Sequence, residues 1–216
     1  MPRTVDIKIC GLTNLDDARA AQEAGADYLG FVLYRRSPRY IVPRTLQRLL
    51  ERMAGAPRTV GVFVNETRER VFQVARDCGL TVIQLHGNEP ADDWTPMPAP
   101  IWRAIKFHDG VALPSPERWP AERYVLDAEA AGRYGGTGTR TDWKRAAELA
   151  RHYPIMLAGG LTPDNVADAI RRVRPLGVDV ASGVEEEAGK KDHRKLKAFI
   201  RAVRNSRIDV RRRPVL

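Results

Sequence analysis

The sequence predicts an α/β protein of the (β/α)8 barrel class (a TIM barrel), folded as a single domain. Short runs rich in Val, Ile and Leu alternate with segments of helical periodicity, as expected for buried parallel strands joined by helices. There are eight such units in 216 residues, which matches the strand number of the closed barrel. An open doubly wound sheet is the alternative. Its dinucleotide-binding form would carry a Gly-x-Gly-x-x-Gly turn after the first strand, and residues 10–14 do not supply one.

The predicted strands are short and mostly aliphatic, and they span Val5–Cys10, Tyr28–Leu33, Thr59–Val64, Thr81–Leu85, Ile101–Lys106, Arg123–Asp127, Ile155–Ala158 and Val178–Ala181. The predicted helices carry apolar residues three or four positions apart, and they span Leu15–Ala24, Arg44–Met53, Arg68–Asp77, Trp143–Arg151, Asn165–Arg172 and Lys191–Arg204. Asn14 is a predicted N-cap, and Pro43 is a favourable first helical residue. Residues 90–120 contain seven prolines, so we expect only short or broken helices there.

The composition excludes several classes of protein. The recurring apolar runs exclude a chain that is disordered throughout, and none approaches the ~20 residues of a membrane span. The first residues lead directly into a strand pattern, without the apolar segment of a secretory signal. Two cysteines, Cys10 and Cys78, do not make a disulfide framework. We therefore expect a cytoplasmic protein without a membrane partner.

The net charge of +9 arises at the C-terminal end of the chain. Residues 190–216 contain 11 Lys or Arg and 2 Asp or Glu, whereas residues 1–189 contain 25 of each sign. We therefore expect a catalytic domain over residues 1–205 and a flexible basic tail over residues 206–216. Nucleic-acid readers carry their positive charge on a folded face with aromatic or polar side chains between, so we expect no nucleic-acid partner. A binding module built on residues 190–213 is the alternative from another functional class.

The carboxyl ends of the strands are where barrels of this class carry their chemistry. The predicted ends present polar or small residues, namely Lys8, Cys10, residues 35–39, Asn65, His86, Lys106, Asp127, Gly159, Gly160, Ser182 and Gly183. No paired-histidine or Glu-x-x-His spacing is present, so a metal site is not predicted.

Glycine-rich turns follow the seventh and eighth predicted strands. Gly159 and Gly160 end one unit, and Ser182 and Gly183 end the next. Phosphate sites in these barrels are built from the same two loops, where backbone N–H groups can approach phosphate oxygens closely. The alternative is that the glycines only permit tight turns.

Three strand-end side chains could carry out acid–base or anion-binding chemistry, and each has a structural alternative. Cys10 is either a small core residue or a general base whose thiolate is favoured by the Lys8 ammonium group. Asp127 either pairs with Lys106 or serves as a general acid or base. Arg39 is either an ordinary surface residue or a bidentate ligand for a substrate carboxylate.

Motifs in the same order from Lys8 to about Phe199 resemble the phosphoribosylanthranilate isomerase family. They are Lys8-Ile9-Cys10-Gly11-Leu12-Thr13, Gly30-Phe31-Val32-Leu33, Ser37-Pro38-Arg39-Tyr40, Val60-Gly61-Val62-Phe63-Val64-Asn65, Gln84-Leu85-His86-Gly87, Tyr134-Gly135-Gly136-Thr137-Gly138, Asp142-Trp143, Ala158-Gly159-Gly160-Leu161, Asp179-Val180-Ala181-Ser182-Gly183-Val184-Glu185 and Gly189-Lys190-Lys191-Asp192.

The resemblance implies a cofactor-free Amadori rearrangement in tryptophan biosynthesis, in which N-(5-phosphoribosyl)anthranilate becomes 1-(2-carboxyphenylamino)-1-deoxyribulose 5-phosphate. It implies that Asp127 is the general acid and Cys10 the general base, and that Arg39 holds the anthranilate carboxylate. It assigns the substrate phosphate to the two glycine-rich turns, at Gly160, Ser182 and Gly183. We expect further substrate contacts from Lys8, His86 and Gly159.

Residues 134–139 are predicted to form a lid over the substrate. Thr141, Ala158 and Ala181 depart from the usual pattern of the family, the two alanines standing where serine is sometimes seen. The nearest enzymatic alternative is another phosphate-binding barrel isomerase that acts on a related aminoaldose phosphate. A monomer and a homodimer both remain compatible with the sequence.

Overall fold

The eight predicted strands form and pair in parallel around a closed ring. A computed structural model describes residues 4–92, 94, 96–108, 111–127 and 143–206. The strands are β1 (Asp6–Ile9), β2 (Tyr28–Val32), β3 (Thr59–Phe63), β4 (Val82–Leu85), β5 (Ile101–His108), β6 (Val111–Leu113), β7 (Arg123–Asp127), β8 (Ile155–Ala158), β9 (Gly177–Val180), β10 (Glu185–Glu187) and β11 (Lys190–Lys191). The ring runs β4-β3-β2-β1-β9-β8-β7-β5, and the pairing of β4 with β5 closes it. The predicted barrel class is therefore confirmed.

The helices lie outside the ring, and the first turns of α1, α3 and α6 are capped by the side chains of Asn14, Thr67 and Asp192. They are α1 (Leu15–Glu23), α2 (Pro43–Glu51), α3 (Arg68–Asp77), α4 (Trp143–His152), α5 (Val166–Val173) and α6 (His193–Asn205), with a 3₁₀ turn at Ser182–Val184. The Asn14 side chain accepts a hydrogen bond from the Asp17 amide at 2.9 Å, which confirms the predicted cap. The described part of residues 90–120 contains no α-helix, in line with its proline content.

Three strands were not predicted from the sequence. Strand β6 folds back antiparallel on β5, with Lys106 opposite Leu113, and forms a hairpin at the carboxyl end of the barrel. Strands β10 and β11 form a separate antiparallel pair between the 3₁₀ turn and α6. All three are two or three residues long, too short to show an alternating pattern.

The amino-terminal end of the barrel is filled by side chains. Tyr28, Trp102 and Met156 pack there in an apolar cluster with valines from three other strands. The Arg123 guanidinium lies 4.9 Å from the Trp102 ring and pairs with Asp6 at 2.6 Å, so its buried charge is compensated. A larger apolar layer fills the space between the strands and the helices. The barrel interior is therefore closed at this end.

No helix in the described ranges is long and apolar enough to cross a membrane. The predicted lid (residues 134–139), Thr141 and residues 207–216 of the predicted tail lie outside the described residues.

Candidate active site

A cavity of about 910 Å³ occupies the carboxyl end of the barrel. Every barrel strand contributes to its wall, through Cys10, Val32, Asn65, His86, Lys106, Asp127, Ala158 and Ala181. Arg39, Arg103 and Asp179 add charged groups, and Gly159, Gly160, Ser182 and Gly183 form one rim. The structure therefore brings most of the predicted strand-end residues together around one space, as the barrel architecture requires. The exceptions are Lys8, Arg35, Arg36 and Pro38, which are not part of the cavity wall.

Cys10 follows β1 and forms part of the cavity wall, with only 9% of its surface exposed. Its amide donates to the Val180 carbonyl at 2.8 Å, which holds it against β9. A Cβ atom on Gly30 would lie 3.0 Å from the Cys10 Sγ atom and 3.0 Å from the Lys8 side chain, so glycine leaves room for both groups. Burial raises the pKa of the Cys10 thiol, and the nearby Lys8 charge offsets only part of this rise. Lys8 therefore favours the thiolate, as expected from the sequence, but its effect is smaller than that of burial.

Lys8 lies beneath the cavity rather than in its wall. Its side chain is fully buried, and its Nζ atom donates to both carboxylate oxygens of Asp179, at 3.0 and 2.9 Å. The two residues are direct partners in the pairing of β1 with β9. Burial alone would lower the pKa of Lys8, but Asp179 and Cys10 raise it above its usual value. The Lys8 ammonium group therefore lies just outside the cavity wall, paired with Asp179, which is part of that wall.

Asp127 is the last residue of β7 and reaches the cavity from another part of the wall. Strand β7 is three strands away from β1 around the ring, so Asp127 and Cys10 face the same space from different sides. Asp127 is the register partner of Lys106 on β5 and of Ala158 on β8. A substrate in this cavity would have a carboxyl group on one side and a thiol on the other.

Arg39, in the loop after β2, is held by Glu185. The Nε and Nη2 atoms of Arg39 donate to the two carboxylate oxygens of Glu185 at 2.8 and 2.6 Å. Lys191 binds the same carboxylate at 2.8 Å. Burial alone would raise the pKa of Glu185, but Arg39 and Lys191 lower it below its usual range. The Nη1 group of Arg39 takes no part in this pair, so the guanidinium can present a second edge to the cavity.

The rim formed by the turns after β8 and β9 has an unusual backbone. Gly159 and Gly160 have φ values of +86° and +60°, in the left-handed region that glycine adopts without strain. A Cβ atom on Gly183 would lie 1.8 Å from the Leu161 carbonyl oxygen, so only glycine fits this close approach of the two turns. Ser182 and Gly183 begin a 3₁₀ turn, where backbone N–H groups point away from the helix without an intrahelical acceptor. This rim is suited to binding an anion.

A buried ion pair organises the wall formed by β3, β4 and β5. Arg103 donates to Glu89 at 3.0 Å and to the carbonyls of Leu85 and Gly87 at 2.8 and 2.7 Å. The Glu89 carboxylate in turn accepts from the amides of Asn65 and Gly87. These bonds fix the backbone on both sides of His86, which lines the cavity. Burial lowers the pKa of His86 to about 3, helped by Lys106, Lys8 and Arg103.

Comparison with known proteins identifies the family of this chain. The family described as N-(5'-phosphoribosyl)anthranilate (PRA) isomerase matches residues 7–202 of the chain. The chain belongs to this family. An N-(5'-phosphoribosyl)anthranilate isomerase from Trichlorobacter lovleyi is 45% identical over 198 residues, which cover 91% of this chain and 97% of that protein.

Solved structures of phosphoribosylanthranilate isomerases have the same fold. The enzyme from Thermotoga maritima superposes with a TM-score of 0.81 at 38% identity, covering 93% of this chain and 98% of the other. A second structure, at 36% identity and a TM-score of 0.77, holds reduced 1-(o-carboxyphenylamino)-1-deoxyribulose 5-phosphate, and the match again covers 93% of this chain and 98% of the other. The resemblance stated from the sequence motifs is therefore confirmed at the level of family and fold.

Reasoning from the sequence missed several residues that shape this isomerase-family site. Glu185 lay within a quoted motif but was given no role, although it is the partner that holds Arg39. Arg103 and Glu89 were not considered, and Gln84 was quoted only as part of a motif. Two signals were available. Arg103 and Gln84 are polar residues inside otherwise apolar strands, and such residues must find buried partners.

Proposed function

We propose that this chain converts N-(5'-phosphoribosyl)anthranilate into 1-(2-carboxyphenylamino)-1-deoxyribulose 5-phosphate, with Cys10 and Asp127 as the proton-transfer pair. The observation that carries the proposal is the position of the two groups in one cavity, at the ends of β1 and β7. An anion-binding rim and an oriented guanidinium lie in the same cavity wall. The substrate has one phosphate and one carboxylate, which match these two features.

The two ends of the substrate are bound by different parts of the rim. The backbone of Gly160, Ser182 and Gly183 takes the phosphate, with Gly159 giving the turn its shape. Arg39 takes the anthranilate carboxylate on the guanidinium edge that Glu185 leaves open. Lys8, buried below, contributes positive potential to the anionic substrate without touching it.

The reaction then proceeds by two proton transfers. Asp127 donates a proton to the ribose ring oxygen as the bond from that oxygen to C1′ breaks, and the nitrogen lone pair forms an iminium ion with C1′. Cys10, as the thiolate, removes the proton from C2′, and the electron pair of that C–H bond neutralises the iminium to give an enolamine. The enolamine tautomerises to the ketone. Each of these steps moves only protons and electron pairs already present in the substrate and the two side chains, so we expect no cofactor.

Turnover of the purified chain in the presence of EDTA tests this proposal. The substrate forms from anthranilate and ribose 5-phosphate, and its fluorescence disappears as the ketose product accumulates. We expect Cys10→Ala and Asp127→Asn each to lower kcat by about 10²- to 10⁴-fold with little change in KM. Cys78→Ala is the matched control, because Cys78 lies at the C-terminal cap of α3, outside the cavity wall.

Near-normal kcat in either folded variant would remove that residue from proton transfer. A wild-type chain that leaves this substrate unchanged but isomerises a related aminoaldose phosphate would keep the site and change the substrate. We place this reaction in the cytoplasm, the expected compartment for an enzyme of amino-acid biosynthesis. We also expect deletion of the predicted tail, residues 206–216, to leave turnover intact and to remove any salt-sensitive retention on nucleic acid.

A further inference from the structure

A hydrogen bond joins Gln84 to His86 in the wall of the cavity. Gln84 is the third residue of β4 and is 1% exposed, and its Nε2 atom lies 3.0 Å from Nδ1 of His86. A primary amide nitrogen carries two hydrogens and cannot accept a hydrogen bond. Nδ1 of His86 must therefore be the acceptor, which leaves the ring proton on Nε2 at the far side of the ring.

The surroundings of His86 also oppose a second proton on its ring. Lys8 acts from β1, and Arg103 and Lys106 act from β5; their charges add to the effect of burial. The carboxylate of Asp179, in the same cavity, is already bonded to Lys8. A protonated Nδ1 would, in addition, place an N–H group against the Gln84 amide hydrogens. The hydrogen-bond geometry and the local charge thus favour the same neutral ring.

We propose that Gln84 is a positioning residue that holds His86 as a neutral hydrogen-bond donor, with its proton on Nε2, facing the substrate. This inference rests on the proposed function for the identity of the substrate. With the Nδ1 lone pair bound to Gln84 and Nε2 protonated, His86 has no lone pair with which to compete for a proton. Proton transfer in the cavity is therefore left to Cys10 and Asp127, and His86 contributes one uncharged N–H group for a substrate oxygen.

The orientation of the Gln84 amide determines which nitrogen of His86 carries the proton. Among the described residues the Oε1 atom of Gln84 is buried without a hydrogen-bond partner. An amide turned by 180° would place Oε1 against the ring instead and would require the proton on Nδ1. The two arrangements therefore predict opposite tautomers of the same neutral histidine, and the tautomer can be observed directly.

Nuclear magnetic resonance of the ¹⁵N-labelled full chain distinguishes the tautomers without any substrate. Long-range ¹H–¹⁵N correlations assign the ring nitrogens, and a His86→Gln variant identifies the His86 signals among the four histidines. We expect protonated Nε2 and unprotonated Nδ1, unchanged between about pH 5 and pH 8, the range in which an unperturbed histidine titrates. A proton on Nδ1, or a titration within that range, would overturn the proposal.

Two variants test the role of the amide. Gln84→Met removes the donor at similar volume, and we expect the His86 ring to lose its single tautomer and kcat/KM to fall about tenfold, mainly through KM. Gln84→Glu places an acceptor against Nδ1, and we expect Nδ1 to become protonated. The matched control is Gln47→Glu, which adds the same charge on the exposed side of α2. An unaltered His86 spectrum in both Gln84 variants would contradict the proposal.

The test of the Gln84 role and the test of the proposed function can be distinguished by their results. If the wild-type spectrum shows the expected tautomer but the chain does not isomerise phosphoribosylanthranilate, the positioning role of Gln84 stands and the substrate assignment fails. If turnover is normal and the proton lies on Nδ1, the proposed function stands and the role of Gln84 fails.

Discussion

The reactivity of Cys10 depends on two opposing effects at a single atom. Burial raises the pKa of the thiol and Asp179 adds to the rise, whereas Lys8 and Lys191 lower it. Because the net shift of the pKa is upward, a smaller fraction of Cys10 is thiolate at a given pH than in an ordinary cysteine. We expect the rate of alkylation of Cys10 by iodoacetamide to keep rising with pH above about 8.5.

Mass spectrometry of a Cys78→Ala variant follows this reaction at Cys10 alone, since the chain has two cysteines. An alkylation rate that levels off below about pH 7 would mean that the effect of the cations on the pKa of Cys10 outweighs that of burial.

Only one of the two effects on Cys10 could be predicted from the sequence. The spacing of Lys8 and Cys10 on one strand was readable, but the desolvation of the thiol depends on how tightly Gly30 and the neighbouring strands enclose it.

At the scale of elements, the β10–β11 pair connects the two proposed anion sites. The 3₁₀ turn Ser182–Val184 runs directly into β10, whose first residue, Glu185, binds Arg39 from the loop after β2. The Thr13 hydroxyl also donates to the Gly189 carbonyl at 2.5 Å, joining the β10–β11 turn to the loop after β1. One short, hydrogen-bonded segment therefore sets the distance between the rim that is proposed to bind the phosphate and Arg39, which is proposed to bind the carboxylate.

Weakening this connection should loosen substrate binding without stopping the chemistry. We expect Glu185→Gln to raise KM about tenfold with kcat changed by less than about threefold, because Arg39 loses a charged partner but no reacting group changes. Steady-state kinetics measure both constants. The control is Glu186→Gln, which removes a neighbouring carboxylate whose pair with Lys190 is exposed. An equal rise in KM in the control, or a loss confined to kcat, would contradict the connection.

The central strands and the helices could be predicted from sequence more completely than this segment. The bounds of β7, β8 and α3 coincide with their predicted bounds, because apolar runs and turn residues delimit them locally. Strands β6, β10 and β11 are stabilised by pairing with another strand, and a run of two or three residues carries no periodicity. Glu185 was missed for the same reason, since its partner Arg39 is 146 residues away.

At the scale of the whole molecule, the sequence indicated the number of strands, whereas ring closure is a long-range property. The first and last strands of the barrel, β1 and β9, meet through four register pairs. We call the contact between these two strands the seam. Lys8 and Asp179 form one of the register pairs and add a buried ion pair across the seam. The eight apolar runs do not determine which strands pair to close the ring. Buried charged side chains that need a partner, such as Lys8 and Asp179, contribute to determining this pairing.

Breaking the Lys8–Asp179 pair should therefore lower the global stability and change the pKa of the Cys10 thiol at the same time. We expect Asp179→Asn to lower the free energy of unfolding by about 3 to 5 kcal/mol, because it leaves the Lys8 charge buried without its partner. The same change should lower the pKa of Cys10, since Asp179 raises it. Urea unfolding and iodoacetamide alkylation measure the two effects on the same variant. The control is Asp168→Asn, which breaks the exposed pairs with Arg171 and Arg172 and should cost less than about 1 kcal/mol.

A double variant separates the charge from the packing at the seam. Lys8→Met combined with Asp179→Leu removes both charges at similar volume, and we expect it to recover most of the stability lost in Asp179→Asn. Cys10 should then titrate at a still higher pH than in the wild type, because burial remains while the Lys8 charge is gone. If Asp179→Asn costs no more than Asp168→Asn, the ion pair does not stabilise the closed barrel. If the double variant is as unstable as Asp179→Asn, the loss comes from packing at the seam rather than from an unpaired charge.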